Sequence, residues 1–338
     1  MKRITLTFLV IAIWLGNLFA QNNCSEQLRQ AERRYDEGLL DDIPQMIKPC
    51  LDSGFTKEEK VNAYKLLIQT HLFSDEKQAA DEVMYQFLKD FPEYSVSATD
   101  PKEFVNLYRT YRTDPILKIE ASVGANLSMP SVKEYYGVES LNSSISEYSS
   151  NAGVNVEVNY LGPLFGDFDG SFGFSFIFSR IGYWNEPFDF TSIAATYNDI
   201  YIGLPLAIKY NKRLMGLDFF AKGGFEPIYL ISSTINFTRE RGLGQDPIIG
   251  TENITQYQKR FDIRPLLSVG MLYKLGNAQL MLTAGVKFGT IMPTNSSKRY
   301  SYEDLYEKYY FIADDYFVHQ TFVSLSYIFS IYNPKKLQ

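Results

Sequence analysis

Residues 201–210, YIGLPLAIKY, alternate between large apolar side chains and small, polar or charged ones. Residues 217–233 repeat the alternation after a short connection. Because successive side chains of a strand point to opposite faces, the pattern predicts two strands, each with one apolar face. A soluble sheet would alternate in the same way. Two long strands joined by a tight turn, with ionisable groups on the second face, favour a barrel with lipid outside and a polar interior.

The same period of two recurs from residue 116 to residue 331 and predicts an all-β transmembrane barrel of about eight antiparallel strands. The predicted strands are residues 116–128, 151–161, 170–183, 201–210, 217–233, 260–275, 278–291 and 316–331. The connections alternate in length. Long ones lie near residues 130–150, 184–196, 234–259 and 293–315, and short ones at 162–169, 211–216 and 276–277. This alternation is typical of outer-membrane barrels and predicts that both ends of the barrel are periplasmic.

A helical pattern precedes the barrel and predicts a small N-terminal α-helical domain. Residues 25–53 and 56–91 are each predicted as a helical hairpin. Gly38 is expected to end the first helix. Thr56 and Glu59 have the spacing of a capping box, which would open the second hairpin.

The spacing from Leu67 through Ala80 to Pro92 is similar to that of a tetratricopeptide repeat (TPR), a helix–turn–helix of about 34 residues. Two hairpins are fewer than the usual stable minimum of about three repeats. Two interpretations stay open: a protein-docking surface, or a plug or spacer. The predicted domains are a signal peptide (1–20), a TPR-like periplasmic helical domain (21–100), a linker (101–115), the barrel (116–332) and a C-terminal tail (333–338).

Residues 1–20 have the features of a secretory signal peptide. Lys2 and Arg3 supply the positive start, residues 6–15 the apolar core, and Ala20 a small residue before a polar segment. A membrane anchor is the alternative interpretation. The apolar run is too short for one, so we expect this segment to be removed.

The rest of the chain contains two cysteines, Cys24 and Cys50. One opens the first predicted helix and the other lies near the end of the second, and these ends are neighbours in an antiparallel hairpin. A disulfide between them is therefore predicted, as expected in an oxidising periplasm. Lipid attachment at Cys24 is the alternative, but residues 21–23 lack the small and apolar side chains that precede such a site.

The composition limits the classes of partner. The 338-residue chain has a net charge of −6, which argues against a nucleic-acid partner. It contains 25 Phe and 25 Tyr, an abundance expected where aromatic rings lie at membrane interfaces. Beyond residue 20, no segment is long and apolar enough for a membrane helix, so strands would have to cross the bilayer.

Charged residues of both signs fall on the inward face of the predicted strands. They are Lys118, Glu120, Glu157, Lys209, Lys222, Glu226, Arg264, Lys274 and Lys287. An eight-stranded barrel is barely wide enough for its own side chains, so we expect these charges to pair across the interior and close it. A selective pore is the alternative, for which a wider barrel would be expected.

The sequence argues against an enzyme. His71 lies in the helical domain and His319 on the outward face of the last strand, whereas general-base chemistry most often needs a positioned histidine. We expect no catalytic residue, no metal site and no cofactor, because no His/Cys group has zinc-like spacing. A cluster of loop acids is expected to be a solvated face rather than a calcium site: Glu303, Asp304, Glu307, Asp314 and Asp315.

The last long connection is rich in tyrosine, with Tyr300, Tyr302, Tyr306, Tyr309 and Tyr310 within eleven positions. Tyrosine is common at binding surfaces, because its ring is rigid and amphipathic. These residues are therefore candidates for contact with an external partner. Packing of the loop over the barrel mouth is the alternative.

The run YIGLPLAIKY followed by FFAKGGFEPIYLISS resembles the small outer-membrane β-barrel family of Bacteroidota, which includes a barrel associated with type IX secretion. ILKIEASVGANLS resembles the first strand of that family. The resemblance covers residues 116–331 and implies an outer-membrane barrel without specifying an activity. The residues that carry the motif are Pro205, Leu206, Lys209, Tyr210, Gly223 and Gly224.

These features together predict a non-enzymatic outer-membrane protein whose barrel anchors a periplasmic helical docking domain. An accessory subunit of a secretion or barrel-assembly machine would have this organisation. The expected partners are outer-membrane lipid and a periplasmic or outer-membrane protein. The alternative function is a small porin, channel or ligand-binding barrel.

Overall fold

The structure is a computed structural model that describes residues 23–137, 146–188, 190–214, 217–242, 244–275 and 278–337. The predicted signal peptide lies outside the described residues, as do residues 215–216 of the predicted turn at 211–216 and the whole predicted turn at 276–277. The chain divides into two compact units. One is Leu117–Ser330, the β unit; the other combines Met1–Ile116 with Ile331–Gln338 and is called the helical unit.

The described elements follow one another in this order. The helices are α1 (residues 23–36), α2 (Ile43–Leu51), α3 (Lys57–Phe73), α4 (Lys77–Asp90), α5 (Lys102–Tyr108) and α6 (Glu303–Glu307). The strands are β1 (Tyr111–Arg112), β2 (Leu117–Glu134), β3 (Glu147–Phe165), β4 (Phe168–Phe188), β5 (Thr191–Gly203), β6 (Leu206–Leu214), β7 (Leu217–Arg241), β8 (Gln245–Asn253), β9 (Phe261–Leu275), β10 (Ala278–Lys287), β11 (Asp315–Ile331) and β12 (Lys335–Lys336).

The β unit is an antiparallel sheet whose pairings return on themselves. The order β2–β3–β4–β5–β7–β9–β10–β11 closes where β11 pairs with β2, which gives a ring of eight strands within the described residues. The ring is uneven, since β10 has 10 residues and β7 has 25. Strands β5 and β6 occupy the same place in the ring, one after the other, because both pair with β4 and β7.

Strands β5 and β6 are separated at Pro205, which has no N–H to donate to a neighbouring strand. The backbone keeps its direction through the interruption: the Pro205 carbonyl still accepts from the Gly173 N–H at 3.1 Å. The residue interrupts the regular pairing without ending the strand as a whole.

Two of the predicted long connections are mostly strand. In the predicted loop 184–196, β4 extends to Phe188 and β5 begins at Thr191. In the predicted loop 234–259, β7 extends to Arg241 and pairs with β8. The prediction was wrong because the apolar residues of these two segments lie on the inward face of the strands. Their outward face is not apolar, so the alternation did not identify the segments as barrel strands.

The outward face of the ring exposes large apolar side chains over its central part. At these positions between 36% and 72% of the residue's surface is accessible. Strand alternation places every second residue on this face, as predicted. Members of this apolar belt include Val123, Val156, Phe174, Phe176, Ile202, Leu206, Ile208, Leu267, Val269, Leu282, Val323 and Leu325.

The helical unit is built by successive helices that pack on their neighbours. One buried cluster joins α1, α2 and α3 through Ala31, Ile47 and Leu67. A second joins α3, α4 and α5, with Phe87 and Phe104 fully buried at its centre. None of the described helices is long and apolar enough to cross a bilayer.

Local signals fix where the helices begin and end. The Thr56–Glu59 capping box forms as predicted and opens α3. Gly38 follows α1 with a φ of +77°, a left-handed conformation that glycine adopts at no steric cost.

The segment predicted as a linker, residues 101–115, contains α5. Its apolar residues Phe104 and Tyr108 are buried against α3 and α4, so this segment belongs to the core of the helical unit. The described part of the predicted tail, residues 333–337, also belongs to the helical unit. Part of it forms β12, which pairs with β1 of the helical unit.

Candidate functional site

The interior of the ring contains a buried cluster of three charges. The Lys287 ammonium lies 2.8 Å from a carboxylate oxygen of Glu157 and 2.8 Å from one of Glu226. These residues lie on β10, β3 and β7, and their exposures are 2%, 8% and 0%. Ser175 donates a further hydrogen bond to Glu226 at 2.6 Å. The structure therefore brings together three residues of the predicted interior network.

Four other members of that predicted network are also buried. Glu120 accepts a hydrogen bond from Ser326 at 3.2 Å, and Lys209 lies 3.7 Å from Asp169. The remaining two are Lys222 and Arg264. The Arg264 guanidinium lies 3.2 Å from a carboxylate oxygen of Asp262, a residue that the sequence analysis did not select, and donates to Gln320.

Lys118 and Lys274 do not join the buried network. The Lys274 side chain is 63% exposed and lies 3.6 Å from Asp218. Lys118 is half-buried and lines a cavity of about 330 Å³, together with Lys209 and Asp169. Both lysines lie within a few residues of a strand end, where the interior opens to solvent. Strand parity gives the face of a residue but not its depth.

Uncharged polar residues form a second interior network that the sequence analysis missed. Gln320 donates to Asn126 at 3.2 Å and to Ser128 at 3.4 Å. Ser128 and Ser179 share a hydrogen bond of 2.6 Å. The available sequence signal was that these polar residues occupy inward positions of the strands. The core of a soluble protein would have apolar residues at such positions.

Apolar clusters occupy both ends of the ring interior. Along β11, the inward residues change from Tyr316 and Val318 through Gln320 and Ser326 to Ile328. Ile328 belongs to a cluster with Leu161, Phe220 and Met281. Tyr316 and Val318 belong to a larger cluster that also contains Tyr197, Phe237, Tyr309 and Phe311. Side chains thus fill the interior between these two clusters, with the charges between two apolar layers, and the cavity lined by Lys118 lies at the Ile328 end.

The residues of the family-like motif surround the interruption between β5 and β6. Lys209 points inward, whereas Tyr210 lies on the outward face with its ring 5.0 Å from that of Phe168. Gly223 and Gly224 lie on β7 opposite β6. A Cβ at Gly224 would lie 2.0 Å from the Leu206 carbonyl oxygen, so a larger residue could not fit beside β6.

Much of the tyrosine-rich connection packs against the rest of the β unit and does not project into solvent. Tyr309 is fully buried, stacks on Phe237 at 4.4 Å and donates to Glu252 at 2.9 Å. Tyr302 also donates to Glu252. Tyr306 and Tyr310 are partly exposed, and Tyr300 is 60% exposed. The part of this connection available to an external partner is therefore smaller than its composition suggested.

The acidic residues of that connection are not one solvated face. Glu303, Asp304 and Glu307 are exposed, but Asp314 is fully buried. Asp314 accepts from the Tyr136 N–H at 2.7 Å and from the Tyr148 hydroxyl at 3.0 Å. Asp315 pairs with Arg299. The structure corrects the prediction for these two residues, because polar partners from distant parts of the chain surround them.

The two histidines lie in different units. The His71 Nδ1 atom lies 2.6 Å from a carboxylate oxygen of Glu76. The His319 ring lies beside Phe288 and Phe317. Within the part of the chain that the structure describes, no group of three or more His, Cys, Asp or Glu residues could hold a metal ion.

The helical unit has a groove of about 710 Å³ between α2, α3 and α4. Leu51, Leu67 and Val83 form the apolar part of its floor, whereas most of its lining residues are polar. Its rim is polar and includes Lys48 on α2 and Gln86 on α4, both exposed. A concave apolar floor with a polar rim is suited to binding a segment of another protein.

The predicted disulfide between Cys24 and Cys50 is formed, with a Cα–Cα distance of 5.7 Å, and links α1 to α2. Gly54 lies against it with a φ of +145°. A Cβ there would lie 2.5 Å from the Cys24 sulfur, so only glycine fits beside the bridge.

Removing this disulfide is expected to destabilise the helical unit. Replacing Cys24 and Cys50 by serine should lower its free energy of unfolding by about 3 kcal/mol, because the unfolded chain gains the entropy of an open loop. Thermal unfolding followed at 222 nm measures the change. A parallel thiol titration should detect no free thiol in the native protein before reduction; reactive thiols there would contradict the bridge.

A buried aspartate gives the helical unit a predicted dependence on pH. Asp100 lies 2.7 Å from the Lys65 ammonium and accepts hydrogen bonds from the Tyr94 hydroxyl and the Ser97 N–H. Burial alone would raise the pKa of Asp100, but the bonds from Lys65, Ser97 and Tyr94 outweigh it and lower that pKa. The carboxylate therefore stabilises the fold above the unfolded-state pKa of about 3.9, and this contribution is lost as the pH falls through the lower folded-state pKa.

The variant Asp100→Asn tests that contribution. At pH 7 it should unfold more easily by about 1.5–3 kcal/mol, the usual value of hydrogen bonds to a charged group. The difference from the wild-type protein should shrink below about pH 4, where the unfolded-state carboxylate becomes protonated, and it should be lost once the pH falls below the lower pKa of the native carboxylate. Urea titrations of both proteins at pH 7 and pH 3 measure it, and an equal difference at both pH values would contradict the assignment.

The described residues thus define a closed antiparallel ring with a polar, filled interior and an apolar exterior, together with an α-helical unit. No family model matches this sequence, and no curated protein matches it. Solved structures that are similar to it are outer-membrane β-barrel proteins.

Three of these solved structures illustrate the extent of the similarity. One is Ail, the attachment invasion locus protein of Yersinia pestis, in complex with the heparin analogue sucrose octasulfate. Its sequence identity to this chain is 12% and its TM-score is 0.29. The match covers 63% of this chain and 99% of Ail. Neisserial surface protein A has 13% identity and a TM-score of 0.28, with coverages of 63% and 97%. OprG from Pseudomonas aeruginosa has 9% identity and a TM-score of 0.32, with coverages of 64% and 98%. At these values no function is transferred from them.

Proposed function

We propose that this chain is a non-enzymatic outer-membrane β-barrel protein that anchors a docking domain. In this proposal the helical unit is TPR-like, lies in the periplasm and binds a protein partner. An accessory subunit of a secretion or barrel-assembly machine, in the Bacteroidota barrel family that the motif resembles, is the role that we favour. The observation that carries the proposal is the reversed arrangement of the ring, with apolar side chains outside and ion pairs inside.

The apolar belt supports a membrane location. Leu267, Val269 and Phe174 expose 57%, 62% and 72% of their surfaces, and they are three of many such residues. A soluble protein seldom exposes a continuous apolar surface of this extent. In a bilayer the same surface contacts hydrocarbon, and the closed ring leaves no unpaired strand edge within the lipid.

The filled interior favours an anchor over a channel. Lys287 bridges two carboxylates across the ring, and apolar clusters lie on either side of it along the interior. An eight-stranded ring has room for little more than these side chains. Opening a path for ions would require breaking a buried ion pair, which costs several kcal/mol.

The groove between α2, α3 and α4 supports a docking role. It combines an apolar floor with exposed charged and amide groups on its rim. Successive helices that pack on their neighbours produce such concave surfaces in solenoid proteins, where partners bind. The proposed partner is a periplasmic protein or the periplasmic part of an outer-membrane protein.

Affinity purification from gently solubilised membranes tests the docking role. The full chain should retain a partner that is lost when residues 24–113 are deleted. The groove variant Lys48→Glu should weaken retention, whereas Lys102→Glu, the same charge reversal at an exposed position of α5 outside the groove, should not. Equal retention by both point variants would place the contact elsewhere.

Planar-bilayer recordings test the anchor against the small-channel alternative. The pure protein should give no steady open-pore conductance. A stable conductance without partners would contradict the anchor proposal and favour the channel.

Protease added to intact cells should cut near residues 293–315 and spare residues 24–113 if the helical unit is periplasmic.

A further inference from the structure

The segment after the last barrel strand, residues 332–337, is held by the helical unit as an added strand. Within it, β12 pairs with β1 in antiparallel register, Tyr111 opposite Lys336 and Arg112 opposite Lys335. The Leu337 N–H donates to the Thr110 carbonyl at 2.7 Å. These bonds recognise an extended backbone, whatever its side chains.

One side chain of the segment is recognised by charge. The Lys336 ammonium lies 2.5 Å from a carboxylate oxygen of Asp81 on α4. The Tyr111 hydroxyl donates to the other oxygen of Asp81 at 3.1 Å. Tyr111 thus holds the carboxylate while its backbone pairs with the strand that carries the lysine. The exposed carboxylate of Glu82 follows directly on α4.

The segment fills its binding place incompletely. The ladder is two residues long, and Lys335, Lys336 and Leu337 are exposed. A cavity of about 580 Å³ lies beside the segment and is lined by Gln78, Glu82 and Tyr85 of α4. A strand with so few bonds is held weakly, and a longer or bulkier one would make contacts that this segment does not make.

We propose that β1 and the acidic edge of α4 form a strand-addition site for an extended, lysine-containing segment of another protein, which residues 332–337 occupy in cis. This site adjoins the groove between α2, α3 and α4, because Glu82 and Tyr85 line both, but Asp81 and the pairing edge of β1 line only the strand-addition site. The lysine of the incoming segment pairs with Asp81, its backbone pairs with β1, and its larger side chains enter the cavity beside Tyr85.

Occupation in cis explains how the site can be specific for such a segment and still remain closed to weak competitors. A segment tethered by a short connection has an effective concentration in the millimolar range. A free peptide of the same sequence therefore competes poorly with it. A partner succeeds if it adds contacts in the cavity, or if something removes the tethered segment first.

The test uses a fluorescent peptide with the sequence of residues 332–337 and the detergent-solubilised full chain, folded by the criterion of heat-modifiable migration. Two variants open the site. One is a chain that stops after Tyr332, and the other is the full-length variant Lys335→Glu/Lys336→Glu. The second variant is used for the test if the shortened chain does not assemble. Fluorescence anisotropy should show at least tenfold tighter peptide binding to an opened variant than to the wild-type chain.

Charge exchange separates this site from non-specific binding. A peptide with Lys336→Glu should bind the chain that stops after Tyr332 two- to fivefold more weakly, and Asp81→Lys in that shortened chain should restore its binding. Equal binding to opened and wild-type chains, or no binding to a folded opened chain, would overturn the proposal. A wild-type chain that forms dimers, and loses them with Lys336→Glu, would overturn the assignment to another protein, because the segment would then exchange between copies.

Discussion

Replacing Lys287 by methionine is expected to lower the free energy of unfolding of the barrel by about 3–5 kcal/mol, because it leaves two buried carboxylates without their shared cation. Glu157 and Glu226 both lie 2.8 Å from the ammonium and have little access to water. Urea unfolding in lipid vesicles, followed by Trp184 fluorescence, measures the change. Equal stability of variant and wild-type protein would contradict the buried cluster.

Two comparisons show whether the loss comes from the unpaired charges. The control Lys274→Met removes a lysine whose side chain is 63% exposed, so it should cost no more than about 1 kcal/mol. The triple variant Lys287→Met, Glu157→Gln, Glu226→Gln removes all three charges and should recover most of the stability. A triple variant as unstable as Lys287→Met would point to lost packing instead.

Placing an arginine in the apolar belt is expected to cost about 2–4 kcal/mol in a bilayer, because the charge would lie near the bilayer midplane. Leu267 is suited to the substitution, since its side chain is 57% exposed and the belt residues of β9 continue on both sides of it. The variant Leu267→Arg should therefore fold less completely into vesicles than the wild-type protein. Vesicle-folded protein can be quantified from its heat-modifiable migration and its unfolding in urea.

The matched control is Ile249→Arg on β8. Ile249 is 70% exposed, but β8 pairs only with the part of β7 beyond the belt, from Thr234 to Arg241. This change should alter stability by no more than about 0.5 kcal/mol, as is usual for surface substitutions. Equal effects of Leu267→Arg and Ile249→Arg would show that the belt does not contact lipid.

The strand-addition site and the groove can be tested separately, although Glu82 and Tyr85 line both. Asp81 lies at the edge of α4 and lines the cavity beside β12, whereas Lys48 and Gln86 line only the groove. A chain that loses its partner with Lys48→Glu and still binds the peptide would have two independent surfaces. Failure of one result therefore leaves the other intact.

Local and periodic features of the fold could be predicted from the sequence, because they depend on residues close together in the chain. The Thr56–Glu59 capping box requires residues three apart, and strand parity requires only alternation. Parity alone placed Glu157, Glu226 and Lys287 on one interior face. The Cys24–Cys50 bridge also followed from a local argument, since the two helices form a single hairpin.

The tertiary structure alone decided which interior residues meet and how deep each one lies. Lys287 and Glu157 are 130 positions apart, and the closing of the ring brings them into contact. The same holds for Asp314, whose partner Tyr136 is 178 positions away, and for Lys336, which reaches Asp81 across 255 positions. Periodicity gives the face of a residue, whereas its partner depends on strand stagger and chain return, which only the folded chain determines.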